Sequence, residues 1–392
     1  MTLPELPDPA LRAAADQQLA HARLPGVLHR HCPYLPDSVS PARLATGIHP
    51  GCQMLEFSLR HHRDAALSVS QYFAVALQQY QTVRQIIDRV FGDQAELRVL
   101  DFACGYGRLL RFLVHSLDPE RIWAAEIQPE AVDHVVDRYG VHGLYSSAVP
   151  EDFQPDQRFD VIWVASLFSH LPDGLFERWL DRLAGLLKPG GILCFSVHDE
   201  VLLPEHAALP DTGLLYYDHS ENEGLDGRIY GTSFVSEDYV RAAAASVFGP
   251  GLRYRRFGKL LAHEQDVYIC TSADGPDLGG LEDFRRGPRG WLDVHRQEGD
   301  ALVLQGWAAS IDDATLESLE IEFAGQLLRL DADEPRPDVA RVLGDQRLGH
   351  CGFSCRLPWP AAEPEPYLVI SALSQVGERG LVFAGQLYRA PS

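Results

Sequence analysis

From Ser70 onward, apolar side chains recur at steps of three and four residues, at Phe73, Leu77, Tyr80, Val83, Ile87 and Val90. That spacing lays one hydrophobic stripe along an amphipathic helix, which Gly92 closes. Beyond it the period alternates. Residues 97–102 read as a strand, 108–116 as a helix, 121–127 as a strand, and 129–138 as a helix with Pro129 at its tolerant first turn. Residues 159–167 suit a strand buried on both faces, 174–187 an amphipathic helix ended by Pro189-Gly190-Gly191, and 192–197 another buried strand. Strands alternating with helices at this rhythm predict a doubly wound parallel sheet.

The alternation lapses after Val197 for about forty residues, a length typical of lids or disorder. It resumes where Ser236 can cap a helix over 237–247, followed by strand-like runs at 252–257 and 267–272. Glycine, proline and charge concentrate in 274–290 and mark a linker. Short apolar runs such as 301–307, 319–323 and 367–373 then predict an all-β sandwich. Residues 1–66 show weak periodicity and read as an irregular, partly helical lead-in. The expected organisation is a helical N-terminal cap or lid over 1–94, an α/β domain over 95–273, a linker over 274–290 and an accessory sandwich over 291–392.

The chain has 392 residues, 34 of them basic and 55 acidic, for a net charge of −21, and lysine stands only at Lys188 and Lys259. Nucleic acid is a poor partner for such a surface, because phosphate binding needs a basic patch, and Arg253-Tyr254-Arg255-Arg256 and Arg285-Arg286 are short and flanked by acids. The seven cysteines form no Cys-x-x-Cys pair and sit partly in apolar runs, which points to a reducing, cytoplasmic setting. No basic-then-apolar leader opens the chain, and no window approaches the length of a membrane span. His29, His31 and Cys32 lack a second pair at zinc-site spacing, so no metal is expected.

The strongest local signal is Val99-Leu100-Asp101-Phe102-Ala103-Cys104-Gly105-Tyr106-Gly107-Arg108, a buried strand entering a side-chain-poor turn and then a helix. Gly105 and Gly107 can take positive φ or let a ligand touch the backbone, and α/β sheets bind ligands at strand carboxyl ends. Glu126 closes the second strand, where a carboxylate can accept two hydrogen bonds from ribose hydroxyls. A nicotinamide or flavin enzyme would usually show Gly-x-Gly-x-x-Gly here, and Leu110 occupies the third glycine position.

These residues, with Phe159-Asp160-Val161-Ile162-Trp163, Leu167-Phe168-Ser169-His170-Leu171-Pro172 and Leu187-Lys188-Pro189-Gly190-Gly191, resemble the class I S-adenosylmethionine-dependent methyltransferases over about 95–272. The resemblance implies a Rossmann-like seven-stranded sheet, with S-adenosyl-L-methionine as cofactor and S-adenosyl-L-homocysteine as product. It places Asp101 and the loop of Ala103, Cys104, Gly105 and Gly107, with Arg108, against the methionine portion. Glu126 and Ile127 fall at the ribose, and Ser147 and Ala148, within 146–149, at the adenine edge. Ala165, at the end of the fourth strand, joins the cofactor set, and Tyr72 is a candidate lid over the methionine carboxylate. Ala103 stands where that family commonly has its first glycine, and Ser146-Ser147 where an acid often meets the adenine amino group.

Methyl transfer to a hydroxyl needs a base for its proton, and a histidine suits that task. His170 follows the fourth strand and His198 ends the fifth, with Asp199 able to orient or replace one of them. Tyr216, Tyr217, Tyr230 and Thr232 offer flat faces and hydroxyls to an acceptor. The tail, with Gly306-Trp307, Arg336-Pro337-Asp338-Val339 and Gly352-Phe353, resembles sandwich modules of bacterial glycan-modifying enzymes, and Trp291, Trp307 and Trp359 are candidate carbohydrate platforms. The expected partner is a glycan or other small-molecule acceptor, and the chain itself can form a homo-oligomer. A natural-product methyltransferase and a non-catalytic S-adenosylmethionine- or glycan-binding scaffold stay open as alternatives.

Overall fold

The computed structural model describes residues 9–92, 96–219, 226–262, 264–361 and 365–389. The chain opens with helices α1 (Pro9–Ala20), α2 (Leu24–Arg30), α3 (Gln53–His62) and α4 (Ala65–Phe91). It divides into two compact units, one of Met1–Leu77 with Arg285–Ser392 and the other of Gln78–Phe284. The boundary therefore falls inside α4. The separate cap expected over 1–94 differs from this, because residues up to Leu77 share a unit with the C-terminal sandwich.

The unit of Gln78–Phe284 contains β1 (Val99–Phe102), α5 (Leu110–Leu113), β2 (Ile122–Glu126), α6 (Pro129–Tyr139), β3 (His142–Tyr145), β4 (Phe159–Val164), α7 (Asp173–Ala184) and β5 (Leu187–His198). A hairpin of β6 (Leu214–Tyr217) and β7 (Thr232–Val235) follows, then α8 (Glu237–Phe248), β8 (Arg253–Leu261) and β9 (Gln265–Thr271). Seven strands form one sheet in the order β3-β2-β1-β4-β5-β9-β8. The expected Rossmann-like sheet is present, but it is mixed: β9 runs antiparallel to both β5 and β8, while the first five strands are parallel. Buried aromatic and aliphatic residues such as Phe102, Trp179, Phe168, Phe176 and Phe195 pack the sheet against α7 and α8.

Local chemistry explains most boundaries. Ser236 caps α8 by accepting from the Tyr239 N–H at 3.1 Å. Gly140 ends α6 in the left-handed conformation at φ 68°. Pro189-Gly190-Gly191 lies within β5 beside a register shift against β4, so the turn expected after α7 is a bulged strand entry instead. The helix expected over 108–116 is only the single turn α5, because left-handed residues persist up to Gly107.

The other unit holds two antiparallel four-stranded sheets, as the sandwich pattern predicts. Its strands are β10 (Pro288–Glu298), β11 (Ala301–Ser310), β12 (Ser318–Phe323), β13 (Gln326–Leu330), β14 (Glu334–Pro335), β15 (His350–Pro358), β16 (Tyr367–Leu373) and β17 (Arg379–Gln386), with α9 (Pro337–Leu343) before β15. The sheet orders are β10-β11-β15-β14 and β13-β12-β16-β17. The N-terminal helices cover the outer side of edge strand β17. The Gln18 amide of α1 donates to Gln386 O at 2.8 Å and accepts from Gln386 N at 2.7 Å, and Ser70 Oγ of α4 accepts from Ala384 N at 3.0 Å. Residues 384 and 386 are two apart and so present their backbone groups on the same side, which is the template a bare edge strand offers. His31 is buried in this contact, bonded to Val27 O and Ser371 Oγ at 2.7 and 2.9 Å.

Candidate active site

Parallel pairing brings the carboxyl ends of β1, β2, β4 and β5 to one edge of the sheet. The turn after β1 is conformationally unusual. Ala103 sits at φ 58°, Gly105 at 53° and Gly107 at 78°, three left-handed residues in five. For alanine that region costs about 1–2 kcal/mol, and such strain gathers at functional loops. A side chain at Gly107 would meet the Tyr139 ring at 2.5 Å, whereas the corresponding side of Gly105 faces open space. Arg108 follows at the foot of α5, half-buried.

Two carboxyl groups flank this turn. Asp101 is buried, and its Oδ2 finds no hydrogen-bond partner among the described residues. Burial pushes its pKa up to about 8, helped by the charge of Glu126 and opposed by Arg108. Glu126 accepts from the backbone N–H groups of Gly105 at 2.9 Å, Ile127 at 2.7 Å and Gln128 at 3.4 Å, so it organises the turn. Burial raises its pKa against those bonds. A carboxylate has about four acceptor positions, which leaves capacity for ligand hydroxyls. Ser147 and Ala148 lie half-buried just past β3, with Ser146 N donating to Glu126 O at 2.9 Å. Buried Cys104 carries a thiol held well above its ordinary pKa by burial.

A second group gathers where β4 and β5 end. Past Ala165, Ser166 is another non-glycine residue at positive φ, 58°. His170 Nδ1 lies 2.7 Å from Gly231 O, and since a carbonyl only accepts, the proton sits on Nδ1 and Nε2 is the basic nitrogen. The Tyr230 ring stacks on His170 at 4.6 Å, and the His198 ring meets it edge-on at 5.9 Å. His198 packs against Phe234 at 5.7 Å. Burial, with the neighbouring charge of His170, lowers the His198 pKa to about 4. The segment expected as a lid thus includes the β6–β7 hairpin, whose second strand and its approach wall in both histidines; residues 220–225 of that segment lie outside the described residues.

Several expected site residues have partners of their own. Asp199 does not orient a histidine: its carboxylate pairs with Arg256 and caps the next turn by accepting from Val201 N at 2.9 Å. Tyr72 is buried in the unit with the sandwich, its ring against Phe73 at 5.5 Å. Tyr216 spends its hydroxyl on Gly227 O, Tyr217 is 40% exposed, and Thr232 is its cross-strand partner. Trp307 and Trp359 are buried in the sandwich, and Trp291 is half-buried beside His62 at 5.3 Å.

Sequence reasoning missed Ser166, Ser196 and Gln265. Ser166 Oγ and Ser196 Oγ both donate to Gln265 Oε1, at 3.0 and 2.8 Å, and Ser196 Oγ accepts from Ser166 N at 2.8 Å. Gln265 opens β9 directly across from His198. Because β9 is antiparallel, its first residue reaches the edge where its neighbours end.

The seven-stranded sheet thus ends its first strand in a left-handed turn beside a buried carboxyl whose Oδ2 has no partner among the described residues. Residues 75–241 match the family model described as a methyltransferase domain, and the chain carries a domain of that class. The malonyl-[acyl-carrier protein] O-methyltransferase of Prosthecochloris aestuarii is 28% identical over 152 residues, 36% of this chain and 54% of that one. The ubiquinone biosynthesis O-methyltransferase of Nitrobacter winogradskyi is 36% identical over 111 residues, 26% of this chain and 39% of that one. The chain spans about half or less of the length of these curated relatives. Among solved structures, an S-adenosylmethionine-bound amino pentose methyltransferase from Micromonospora echinaspora shows 16% identity over 49% of this chain and 89% of its own, with a TM-score of 0.37.

Proposed function

We propose that this protein transfers the methyl group of S-adenosylmethionine to a hydroxyl or amine of a sugar-type acceptor, with His170 as the base. The observation that carries the cofactor reading is the Asp101 carboxyl: buried, without a partner on Oδ2, and beside a turn whose Gly105 leaves room for a ligand. An uncompensated buried carboxyl is costly and marks a place where a cationic or hydrogen-bonding ligand completes the structure. S-adenosylmethionine supplies a methyl group activated by its positively charged sulfur. Asp101 and the turn of 103–107 hold the amino-acid end, and Glu126 accepts from the ribose hydroxyls while keeping the turn in place. Ile127, Ser147, Ala148 and Ala165 line the rest.

His170 is preferred over His198 on hydrogen bonding. Its Nδ1 donates to Gly231 O, which fixes the ring and makes Nε2 the nitrogen that takes the acceptor's proton. His198 offers Nε2 to the Gln265 amide at 3.4 Å and is a weak base at about 4. Tyr230, stacked on His170, is the acceptor-side group, since it brings a flat ring and a hydroxyl to that histidine. That chemistry suits a sugar.

Calorimetry with S-adenosylhomocysteine and transfer of an isotopically labelled methyl group to nucleotide sugars, lipid-linked sugars, phenols and carboxylic acids test both levels. Expected are stoichiometric binding abolished by Glu126→Ala and label on a sugar oxygen or nitrogen. Label confined to a phenol or carboxylate overturns the acceptor reading, and absence of binding overturns the whole.

A further inference from the structure

Gln265 has no place in the reaction as described so far, yet its amide makes three contacts at the carboxyl edge. It is buried, 5% exposed, on the one strand that enters this edge instead of leaving it. Its amide orientation is set by its neighbours. Oε1 takes the hydroxyls of Ser166 and Ser196, and two hydroxyl donors on one atom identify that atom as the carbonyl oxygen. Ser196 Oγ has a proton to give because it already accepts from the Ser166 N–H. Nε2, a donor only, is therefore the atom that lies 3.4 Å from Nε2 of His198.

Resting on the methyltransferase reading, we infer that Gln265 is a positioning residue: it donates to His198 Nε2, fixes that ring with its proton on Nδ1, and keeps it uncharged beside His170. An imidazole whose Nε2 accepts a hydrogen bond cannot carry a proton there without breaking the bond and setting two donors face to face. The charged groups around His198 push the same way, against a backbone hydrogen bond to Ser233 that favours the charged ring and is outweighed by burial. His170 meets it edge-on at 5.9 Å, Lys259 contributes a positive charge, and Asp199, the nearest acid in sequence, is already paired with Arg256; Phe234 and Tyr230 supply no charge. The consequence falls on His170. When its Nε2 takes a proton from the acceptor, the new cation forms next to a neutral ring, whereas a charged His198 at this separation would repel it and weaken the base. Burial of His198, which lowers its pKa to about 4, is consistent with the same assignment.

The same knot has a second effect. Ser166, held at positive φ after β4, and His198, at the end of β5, are tied through one amide, which links the two strand ends that flank the histidine pair.

The test is the tautomer, read by two-bond nitrogen–hydrogen correlation spectra of full-length protein labelled with 15N-histidine and assigned with His198→Gln. Expected is a His198 resonance with the proton on Nδ1 that does not titrate between pH 5.5 and 7.5 in roughly the range where free histidine does. In Gln265→Met, which keeps the side-chain length and removes donor and acceptor, His198 becomes a tautomer mixture and begins to titrate. The acid limb of the pH–kcat profile then moves and kcat falls about ten-fold or more, with S-adenosylhomocysteine affinity within about two-fold. Ser196→Ala, which frees the amide to rotate, gives a partial version of both effects and guards against misfolding of the first variant. A proton on His198 Nε2 in the unaltered protein, or a Gln265→Met protein with unchanged tautomer and unchanged pH profile, overturns the inference. Both spectra are read without turnover, so loss of the methyltransferase reading, seen as absent S-adenosylhomocysteine binding, is a separate result.

Discussion

Replacing Asp101 with asparagine separates a structural carboxyl from a ligand-binding one, because the two roles predict opposite signs. In the folded protein, burial and the neighbouring Glu126 raise this group from the ordinary 3.8 to about 8. Between those values the folded state retains a proton that the unfolded state has released, so stability falls as pH rises through this window and the deficit is complete above about 8. The separation is roughly four pH units at about 1.4 kcal/mol each, an upper bound on the order of 5 kcal/mol. Relaxation around the charge lowers the net figure to a few kcal/mol. Asp101→Asn, which has nothing to ionise, is therefore expected to raise the Tm at pH 8 by roughly 5 °C and to change it little at pH 4. Cofactor binding moves the other way. A cationic amino-acid end favours the ionised carboxyl, so affinity for S-adenosylhomocysteine rises from pH 6.5 towards 8 with proton release on binding, and Asp101→Asn weakens binding about ten-fold or more and abolishes that release. Differential scanning calorimetry across pH, with titration calorimetry in two buffers of different ionisation enthalpy, measures both. An asparagine variant that is destabilised equally at pH 4 and pH 8, or that binds as tightly as the parent, refutes the reasoning.

Three further outcomes follow from the geometry. Ala103→Val puts a β-branched residue at φ 58° and should cost about 1–3 kcal/mol in thermal or urea unfolding, whereas Ala103→Gly should be neutral or slightly stabilising; equal effects would mean the turn is not left-handed. His170→Gln should lower kcat by about 10²–10⁴-fold with S-adenosylhomocysteine affinity nearly unchanged, and a matching loss in both would point to a binding role instead. Burial depresses the His31 pKa from 6.5 to about 4, so the unfolded chain gains a proton that the folded chain refuses as pH falls below 6.5. That stability is intact above 6.5 and lost progressively towards pH 4, and His31→Gln should flatten this part of the Tm–pH curve.

The α/β core was legible because each of its signals is local. The apolar run of 159–167, the stripe through Phe73 and Tyr80 and the Asp101–Gly107 turn announce their elements within a dozen residues, and the structure has a strand, a helix and a left-handed turn there, the strand ending at Val164. What was not legible depended on partners distant in sequence. Asp199 looked available beside His198 until strand β8 brought Arg256 to it, and nothing near residue 199 signals that pairing. Gln265 is hidden for a topological reason: a sheet parallel throughout presents only strand ends at this edge, and the antiparallel β9 delivers a strand beginning. The lead-in of residues 1–66 gave weak periodicity because its helices use individual side chains, Gln18 and His31 among them, to satisfy a sheet more than three hundred residues away.

That long-range dependence also orders how the polypeptide matures on the ribosome. Helices α1 and α2 emerge well before β16 and β17, which their Gln18 and His31 require. At about 5–20 residues per second, the early helices wait tens of seconds with their apolar faces unsatisfied while the intervening catalytic unit is synthesised. A ribosome stalled before residue 367 would release a nascent chain able to build its methyltransferase sheet and unable to close the unit that surrounds it in sequence.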